Sequence, residues 1–361
     1  MTDAAPGDGP VLIIGTERSG SNLLRLVLNA HPRVAVPHPP HFLRYLAPLA
    51  DSYGDLREDA NLRSLVADAV LLLRVHPHPW EHPVDVERVV REAGRSVFGV
   101  VAAIYDQYRA AEGKARWGCK STFTVDHVDE VLAERPDARF VLLVRDPRDV
   151  AASARRSVFC HYHPARTAAL WARQQDRGLA ALDRHGPAVV HLLRYEDLVS
   201  GPGVEVGRLC AFLGEPVEEA MFAHHTSPAA RRTSALAESW RNAGSPITTT
   251  SVGAHRHGLT PAERAVVEEI AGRGMSRLGY EVGPRRTPVV LPSALDVRLR
   301  DFGTRVLVEA RSLRRDDNAR QRLARDATVA WLRVRARLRS RVPGHRTAGR
   351  YNRVRPREDM S

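Results

Sequence analysis

Apolar and polar positions along this chain alternate between two patterns. Predominantly apolar runs bounded by turn residues occur at 11–14, 139–144 and 188–193, and they predict buried parallel strands. The segments between them repeat apolar residues at helical spacing. This alternation predicts an α/β fold with a central parallel sheet flanked by helices, in which ligands bind at the C-terminal ends of the strands. The predicted helices lie at about 20–30, 61–75, 97–111, 124–134 and 165–184, with others beginning at Pro147 and Tyr195.

The C-terminal region keeps the helical pattern but has no predicted strand. One helix face there is formed by Leu295, Leu299, Phe302, Val306 and Leu313, and a second by Leu323, Ala327, Ala330, Val334 and Leu338. The remaining faces of both helices are mostly arginine. We therefore predict a catalytic domain at 1–284, with a lid-like insertion at about 52–112, and a basic amphipathic helical extension at 285–361.

The net charge of +12 is concentrated in this extension. Residues 285–361 hold 21 arginines and 8 acidic residues, a net charge of +13, which leaves −1 for residues 1–284. The near-neutral remainder argues against nucleic acid as the partner of the predicted catalytic domain. Arginine-rich faces opposite apolar stripes suit two roles: packing on the domain with solvated arginines, or peripheral contact with an anionic membrane.

Cysteine use and hydropathy predict a cytoplasmic protein, with a peripheral position at the inner membrane face as the alternative. The three cysteines match neither a disulfide framework nor a CxxC metal site. No apolar run reaches 18 residues, and residues 1–10 lack the features of a signal peptide. No metal site is predicted, because the histidines at 76, 78 and 82 and the segment 160–163 lack a second ligand pair at zinc spacing.

The first strand leads into a glycine-rich loop and then a helix. The segment Gly15–Asn22 follows the phosphate-binding pattern G-x-x-x-x-G-K-[ST] except at the lysine, because Gly20 is followed by Ser21 and Asn22. Kinases and ATPases of the P-loop type place that lysine on the β- and γ-phosphates. Here the cation comes earlier, as Arg18. The loop predicts a P-loop-NTPase-like fold with a different phosphate ligand.

Two further strand ends carry polar groups, Lys120-Ser121 and Arg145. Ser153 follows Arg145 by eight residues, on the second turn of the next helix, so the pair could hold one phosphate. A second phosphate could occupy the glycine-rich loop. Because the C-terminal ends of parallel strands share one edge of a sheet, we expect these groups to converge. Two phosphate sites without a carboxylate for Mg²⁺ indicate a bisphosphorylated nucleotide used without metal.

At these residues the chain resembles the sulfotransferases that use 3′-phosphoadenosine 5′-phosphosulfate. Arg18–Ser21 is similar to the family's 5′-phosphosulfate motif, and Val144–Ser153 to its 3′-phosphate motif. Arg194–Leu198 resembles a stretch associated with adenosine, and Ser251–Pro261 resembles the C-terminal part of bacterial members. The resemblance spans roughly residues 10–283. It implies transfer of a sulfuryl group to a hydroxyl or amine of a small-molecule, glycan or lipid-linked acceptor.

The resemblance also implies roles for individual residues. Arg18 would contact the 5′-phosphate and the bridging oxygen, and Lys120 would reach the same oxygens; neither role involves a metal. The donor contacts it implies are Arg18, Ser19, Gly20, Ser21, Asn22, Arg145, Ser153, Tyr195 and Ser251.

The resemblance does not directly identify the general base in this chain. Many cytosolic members have a histidine two residues after the lysine, where this chain has Thr122. Other members supply a carboxylate in the region that matches Val36–Phe42, and this chain has His38 and His41 there. A histidine pKa lies near the operating pH. We favour His41, which follows a Pro pair and precedes a helix-like run.

Two rival functions remain at this stage. One is a small-molecule kinase that uses ATP and Mg²⁺, against which the missing lysine argues. The other is a non-enzymatic protein that binds a nucleotide or uses the basic extension to bind nucleic acid.

Overall fold

The computed structural model describes residues 8–155, 157, 162–236, 238–283 and 288–339. A five-stranded parallel sheet with the strand order β2-β3-β1-β4-β5 is flanked by helices, so the predicted α/β class is confirmed. The strands are β1 (Val11–Gly15), β2 (Val34–Ala35), β3 (Arg116–Cys119), β4 (Arg139–Val144) and β5 (Val190–Arg194).

The helices agree with the helical spacing of the sequence to within a few residues, apart from short elements. Strand β2 has two residues and α4 has seven, which is too short for a period to show. The helices are α1 (Ser21–Ala30), α2 (Phe42–Leu46), α3 (Asp59–Arg74), α4 (Val86–Glu92), α5 (Val97–Ala111), α6 (Val128–Glu134), α7 (Pro147–Ala154), α8 (Pro164–His185), α9 (Tyr195–Ser200), α10 (Pro202–Leu213), α11 (Glu219–Phe222), α12 (Pro228–Leu236), α13 (His255–Gly258), α14 (Pro261–Arg277), α15 (Ala294–Arg315) and α16 (Ala319–Arg339).

The chain forms two compact units. Within the described ranges, the first comprises residues 8–12, 28–139 and 318–339. In it β3 pairs with β1 and β2, and α5 packs on β3. Helix α16 lies against α3, where Arg335 forms an ion pair with the buried Asp68.

The second unit comprises the described residues of the ranges 13–27 and 140–317. Strand β4 pairs with β5 in register, and α7, α8 and α14 pack together. The buried Trp171 of α8 donates from Nε1 to the carbonyl of Arg145, at 2.9 Å. This bond fixes the end of β4, where α7 begins.

The C-terminal extension is helical, but its apolar stripes lie outward. Helices α15 and α16 form where the sequence predicts them, whereas the large residues of the predicted apolar faces are exposed. One of the two roles considered for this extension was packing on the domain with the arginines in solvent. That role would bury the apolar faces, whereas their large side chains are exposed. Across the described ranges, no helix is long and apolar enough to cross a membrane.

Candidate active site

The glycine-rich loop of the second unit is compact because two glycines allow close approach. Gly15 has φ +131°, and a Cβ added there would lie 2.3 Å from the carbonyl oxygen of Leu143. Gly20 has φ +92°, and an added Cβ would lie 2.3 Å from the ring of Tyr195. Any larger residue would be strained and would clash at both positions. The tight path of this loop therefore depends on glycine at both positions.

Several polar groups of this loop suit an anionic ligand. The Ser19 side chain is buried and its hydroxyl has no hydrogen-bond partner; the Asn22 Oδ1 atom also lacks one. Helix α1 begins at Ser21, and the first N–H groups of a helix have no partner within it. Buried polar atoms without partners are uncommon in folded proteins. A phosphate would satisfy the Ser19 hydroxyl and the helix N-terminus together.

Arg18 and Ser153 meet directly, although they are 135 residues apart in sequence. The Nε atom of Arg18 donates to Ser153 Oγ at 3.1 Å, and Arg145 donates from Nη1 to the Arg18 carbonyl at 3.0 Å. Arg18 has a left-handed backbone, with φ 71°. The sequence predicts two phosphate sites, one at Arg18 and one at Arg145 and Ser153. In the structure all three residues form one cluster.

The Arg145 guanidinium is buried within this cluster. Its Nη2 atom donates to the Ser251 carbonyl at 2.5 Å, and its Cζ atom lies 4.4 Å from the centre of the Tyr195 ring. Its Nε atom has no hydrogen-bond partner. Tyr195 is consequently held between Gly20 and Arg145. The second unit thus brings together Arg18, Gly20, Arg145, Ser153, Tyr195 and Ser251, all of which the sequence places at the donor.

Asp149 organises this cluster, and sequence reasoning gave it no role. Its buried carboxylate accepts from the backbone N–H groups of Gly253 and His255, each at 2.8 Å. The Nδ1 atom of His255 also lies 2.8 Å from it, and Arg145 Nη2 lies 3.9 Å away. Asp149 therefore anchors the turn that presents the Ser251 carbonyl to Arg145. The sequence feature that points to this role is the position of Asp149, one helical turn after Arg145.

An Asp149→Asn variant is expected to lose about 2–3 kcal/mol of unfolding free energy, because an amide cannot accept every N–H that the carboxylate faces. Urea denaturation of the full chain measures this loss. The matched control is Asp183→Asn, which breaks an exposed ion pair with Arg277 and should cost under about 1 kcal/mol. Equal stability of the two variants would contradict the anchoring role.

The first unit carries the other predicted site residues, Lys120, His38 and His41. Lys120 lies at the end of β3, and the two histidines lie in the segment before α2. His41 precedes α2 with φ 56°, and its Nδ1 atom lies 3.0 Å from Ser121 Oγ. Its ring meets Phe123 edge-on at 5.5 Å. Lys120 is largely buried and follows β3 directly. Among the non-glycine residues that the structure describes, only Arg18 and His41 have positive φ, a strain that often marks functional sites.

The environment of His41 keeps its imidazole neutral. Burial lowers the pKa of His41 well below its usual value of 6.5, and the positive charges of Lys120 and Arg44 lower it further. A neutral imidazole has a nitrogen lone pair that can take a proton. With Nδ1 directed at Ser121, Nε2 is the nitrogen left for a substrate hydroxyl.

The histidine-rich segment at 76–80 holds the base candidates in place. His76 Nε2 lies 3.0 Å from the Pro39 carbonyl, and Trp80 Nε1 donates to the His38 carbonyl at 2.8 Å. Burial lowers the pKa of His76 to about 4, so its ring is neutral. The His38 ring is stacked on that of His78, with ring centres 4.8 Å apart, and it is buried. These contacts favour His41 over His38 as the base.

The sheet and the glycine-rich loop define a protein of the α/β class. The chain belongs to the Sulfotransferase family, whose model matches residues 10–219, and is therefore a transferase by family. It is 28% identical over 303 residues to the nodulation protein NoeE of Sinorhizobium fredii, covering 77% of this chain and 68% of that one.

Two solved structures share the fold. One is the sulfotransferase domain of the Synechococcus PCC 7002 olefin synthase, with a TM-score of 0.51 and 20% identity, covering 78% of this chain and 98% of that one. The other is the sulfotransferase domain from the curacin biosynthetic pathway, with a TM-score of 0.50 and 19% identity, covering 76% and 99%. At this level of identity the likeness concerns the fold alone.

Proposed function

We propose that this sulfotransferase takes its sulfuryl group from 3′-phosphoadenosine 5′-phosphosulfate and transfers it to an acceptor hydroxyl. An amine is the second acceptor type that the same chemistry allows. In this transfer the bond from sulfur to the phosphate oxygen breaks and a bond from sulfur to the acceptor oxygen forms. The acceptor proton passes to a base, and the bisphosphate leaves.

The observation that carries this proposal is the cluster of Arg18, Arg145 and Ser153 beside a phosphate-type loop. Two guanidinium groups and a hydroxyl match the charge of a nucleotide with phosphates at two positions. The loop lacks the lysine that a triphosphate requires. Sulfuryl transfer develops less charge than phosphoryl transfer, so arginine and helix N–H groups can stabilise the leaving group without a metal.

We assign proton removal to His41, whose neutral imidazole suits a general base. Ser121 orients the ring through Nδ1. Lys120 supplies positive charge to the leaving phosphate, as the family resemblance implies. The acceptor is a small molecule, a glycan or a lipid-linked hydroxyl.

Donor recognition is tested by calorimetry with 3′-phosphoadenosine 5′-phosphate and with ATP plus Mg²⁺. The bisphosphate should bind the wild type tightly, and an Arg145→Ala variant should bind it about tenfold to a hundredfold more weakly, because one charged hydrogen-bonding group is lost. Arg277→Ala, which removes an exposed arginine of the same unit, should bind like the wild type. Tight binding of ATP alone, or an unchanged affinity in Arg145→Ala, would overturn this assignment.

The pH dependence of kcat/KM follows from the lowered pKa of His41. A base must be deprotonated to act, so kcat/KM rises with pH through this pKa and is constant above it. We therefore expect the midpoint of this rise below pH 6.5, the usual value for histidine. A Lys120→Gln variant should move the midpoint to higher pH, because one positive charge near His41 is removed. A wild-type midpoint at or above pH 6.5 would contradict the role of His41.

A further inference from the structure

Helix α15 of the second unit presents large apolar side chains to solvent. Its buried residues are Val297, Asp301 and Ser312. The outward stripe repeats at spacings of four and three residues, and its members are between 50% and 67% exposed. They are Leu295, Leu299, Phe302, Val306 and Leu313. Contiguous exposed apolar surface of this kind marks an interaction site.

The orientation of α15 is fixed by polar contacts on its inner side. The Asp301 carboxylate accepts from the backbone N–H groups of Tyr162 and His163, at 2.8 and 2.9 Å, and forms an ion pair with Arg166 at 2.6 Å. At about 100° per residue, the centre of the apolar stripe lies roughly 130° around the helix from Asp301. The apolar stripe therefore faces away from the unit to which α15 belongs.

Exposed arginines border this stripe along both sides. Arg298 and Arg305 lie near one border together with Glu309, and Arg314 lies near the other together with Asp296. The helix carries six arginines and three acidic residues, one of which is the buried Asp301. An apolar stripe on a helix with an excess of long cationic side chains is typical of helices that lie in the plane of a membrane surface.

Helix α16 shows the same arrangement within the first unit. Its packed side includes Val329, Leu332 and Ala336, whereas Leu323, Trp331, Val334 and Leu338 are exposed. Exposed arginines, including Arg333 and Arg337, accompany them. The pattern thus occurs on both helices of the extension.

We propose that the exposed face of α15 docks on an anionic lipid surface. Apolar side chains would enter the headgroup boundary while the bordering arginines reach lipid phosphates. Pairing with a second copy is disfavoured, because it would bring together two helices that each carry six arginines and only three acidic residues. This docking is independent of the proposed sulfuryl transfer.

Sedimentation with vesicles of phosphatidylglycerol mixed with phosphatidylcholine tests the proposal on the full chain. The wild type should bind these vesicles and should bind pure phosphatidylcholine vesicles far more weakly. The double variant Leu299→Asp, Phe302→Asp should lose about a hundredfold in vesicle affinity. Arg298→Gln combined with Arg305→Gln should lose about tenfold or more, at low salt.

The matched control places aspartate at two exposed valines elsewhere in the same unit. Val204 and Val217 are 59% and 48% exposed, and Val204→Asp with Val217→Asp should bind vesicles like the wild type. Urea denaturation shows whether each variant is folded, and calorimetry with the bisphosphate reports separately on the proposed function. Equal vesicle binding by the α15 variant and the wild type would overturn the proposal. A dimer that α15 substitution dissolves, with no wild-type vesicle binding, would assign the face to a second copy instead.

Discussion

An Arg18→Asn variant is expected to transfer sulfuryl groups about a hundredfold to a thousandfold more slowly than the wild type, because one preorganised cation is removed from the leaving group. Asparagine tolerates the left-handed backbone that Arg18 adopts, so the substitution removes the guanidinium without adding strain. The kcat of the variant, measured with saturating donor, isolates the effect on turnover.

Two controls separate the charge of Arg18 from its contacts. Arg18→Lys keeps a cation but loses the planar fork, so its kcat should lie between those of the wild type and Arg18→Asn. Ser153→Ala removes the partner of Nε and should weaken donor binding more than it slows turnover. If Arg18→Asn retains kcat within fivefold of the wild type, Arg18 is not the catalytic cation.

A His41→Asn variant is expected to lose about a hundredfold or more in kcat, because the group that accepts the acceptor proton is gone. Asparagine again suits the left-handed conformation at this position. Bisphosphate affinity should be unchanged, which places the defect in turnover rather than in donor binding.

Ser121→Ala and His38→Ala complete this test. Ser121→Ala leaves the imidazole present but unoriented, so its kcat should fall by less than that of His41→Asn. His38→Ala should retain kcat within a few-fold, since its ring is enclosed by neighbouring histidines. A His41→Asn enzyme that turns over within a few-fold of the wild type would show that the base lies elsewhere.

The sequence was sufficient for the fold and for the position of the glycine-rich loop. Strands β1 and β4 are predominantly apolar runs, and the loop between Gly15 and Gly20 has a recognisable spacing. Such features are local, because they depend on periodicity and on residues adjacent in the chain. They could therefore be predicted without knowledge of packing.

The supporting contacts could not be predicted in this way. Asp149 reaches His255 across 106 residues, and His76 reaches the Pro39 carbonyl across 37. Pairings over such separations depend on how the elements pack, and a single sequence does not show this. The direct bond between Arg18 and Ser153 is of the same kind, because the sequence predicts that these groups converge but not which of them touch.

The extension shows how a polar contact can reverse an expectation based on periodicity. The spacing of Leu295, Leu299 and Phe302 identifies a helix and its apolar face. It does not identify the packed side, because Asp301 binds backbone N–H groups and turns the apolar face outward. Periodicity alone does not reveal a buried carboxylate that acts as the anchor.

Incubation of the full chain with ³⁵S-labelled 3′-phosphoadenosine 5′-phosphosulfate and a panel of phenols, alcohols, glycans and lipid-linked sugars tests the central claim most directly. The account predicts that label moves to a hydroxyl of at least one acceptor, with one bisphosphate formed for each sulfate transferred and without added metal. Phosphorylation of an acceptor from ATP and Mg²⁺, with no transfer of label from the phosphosulfate, would contradict it.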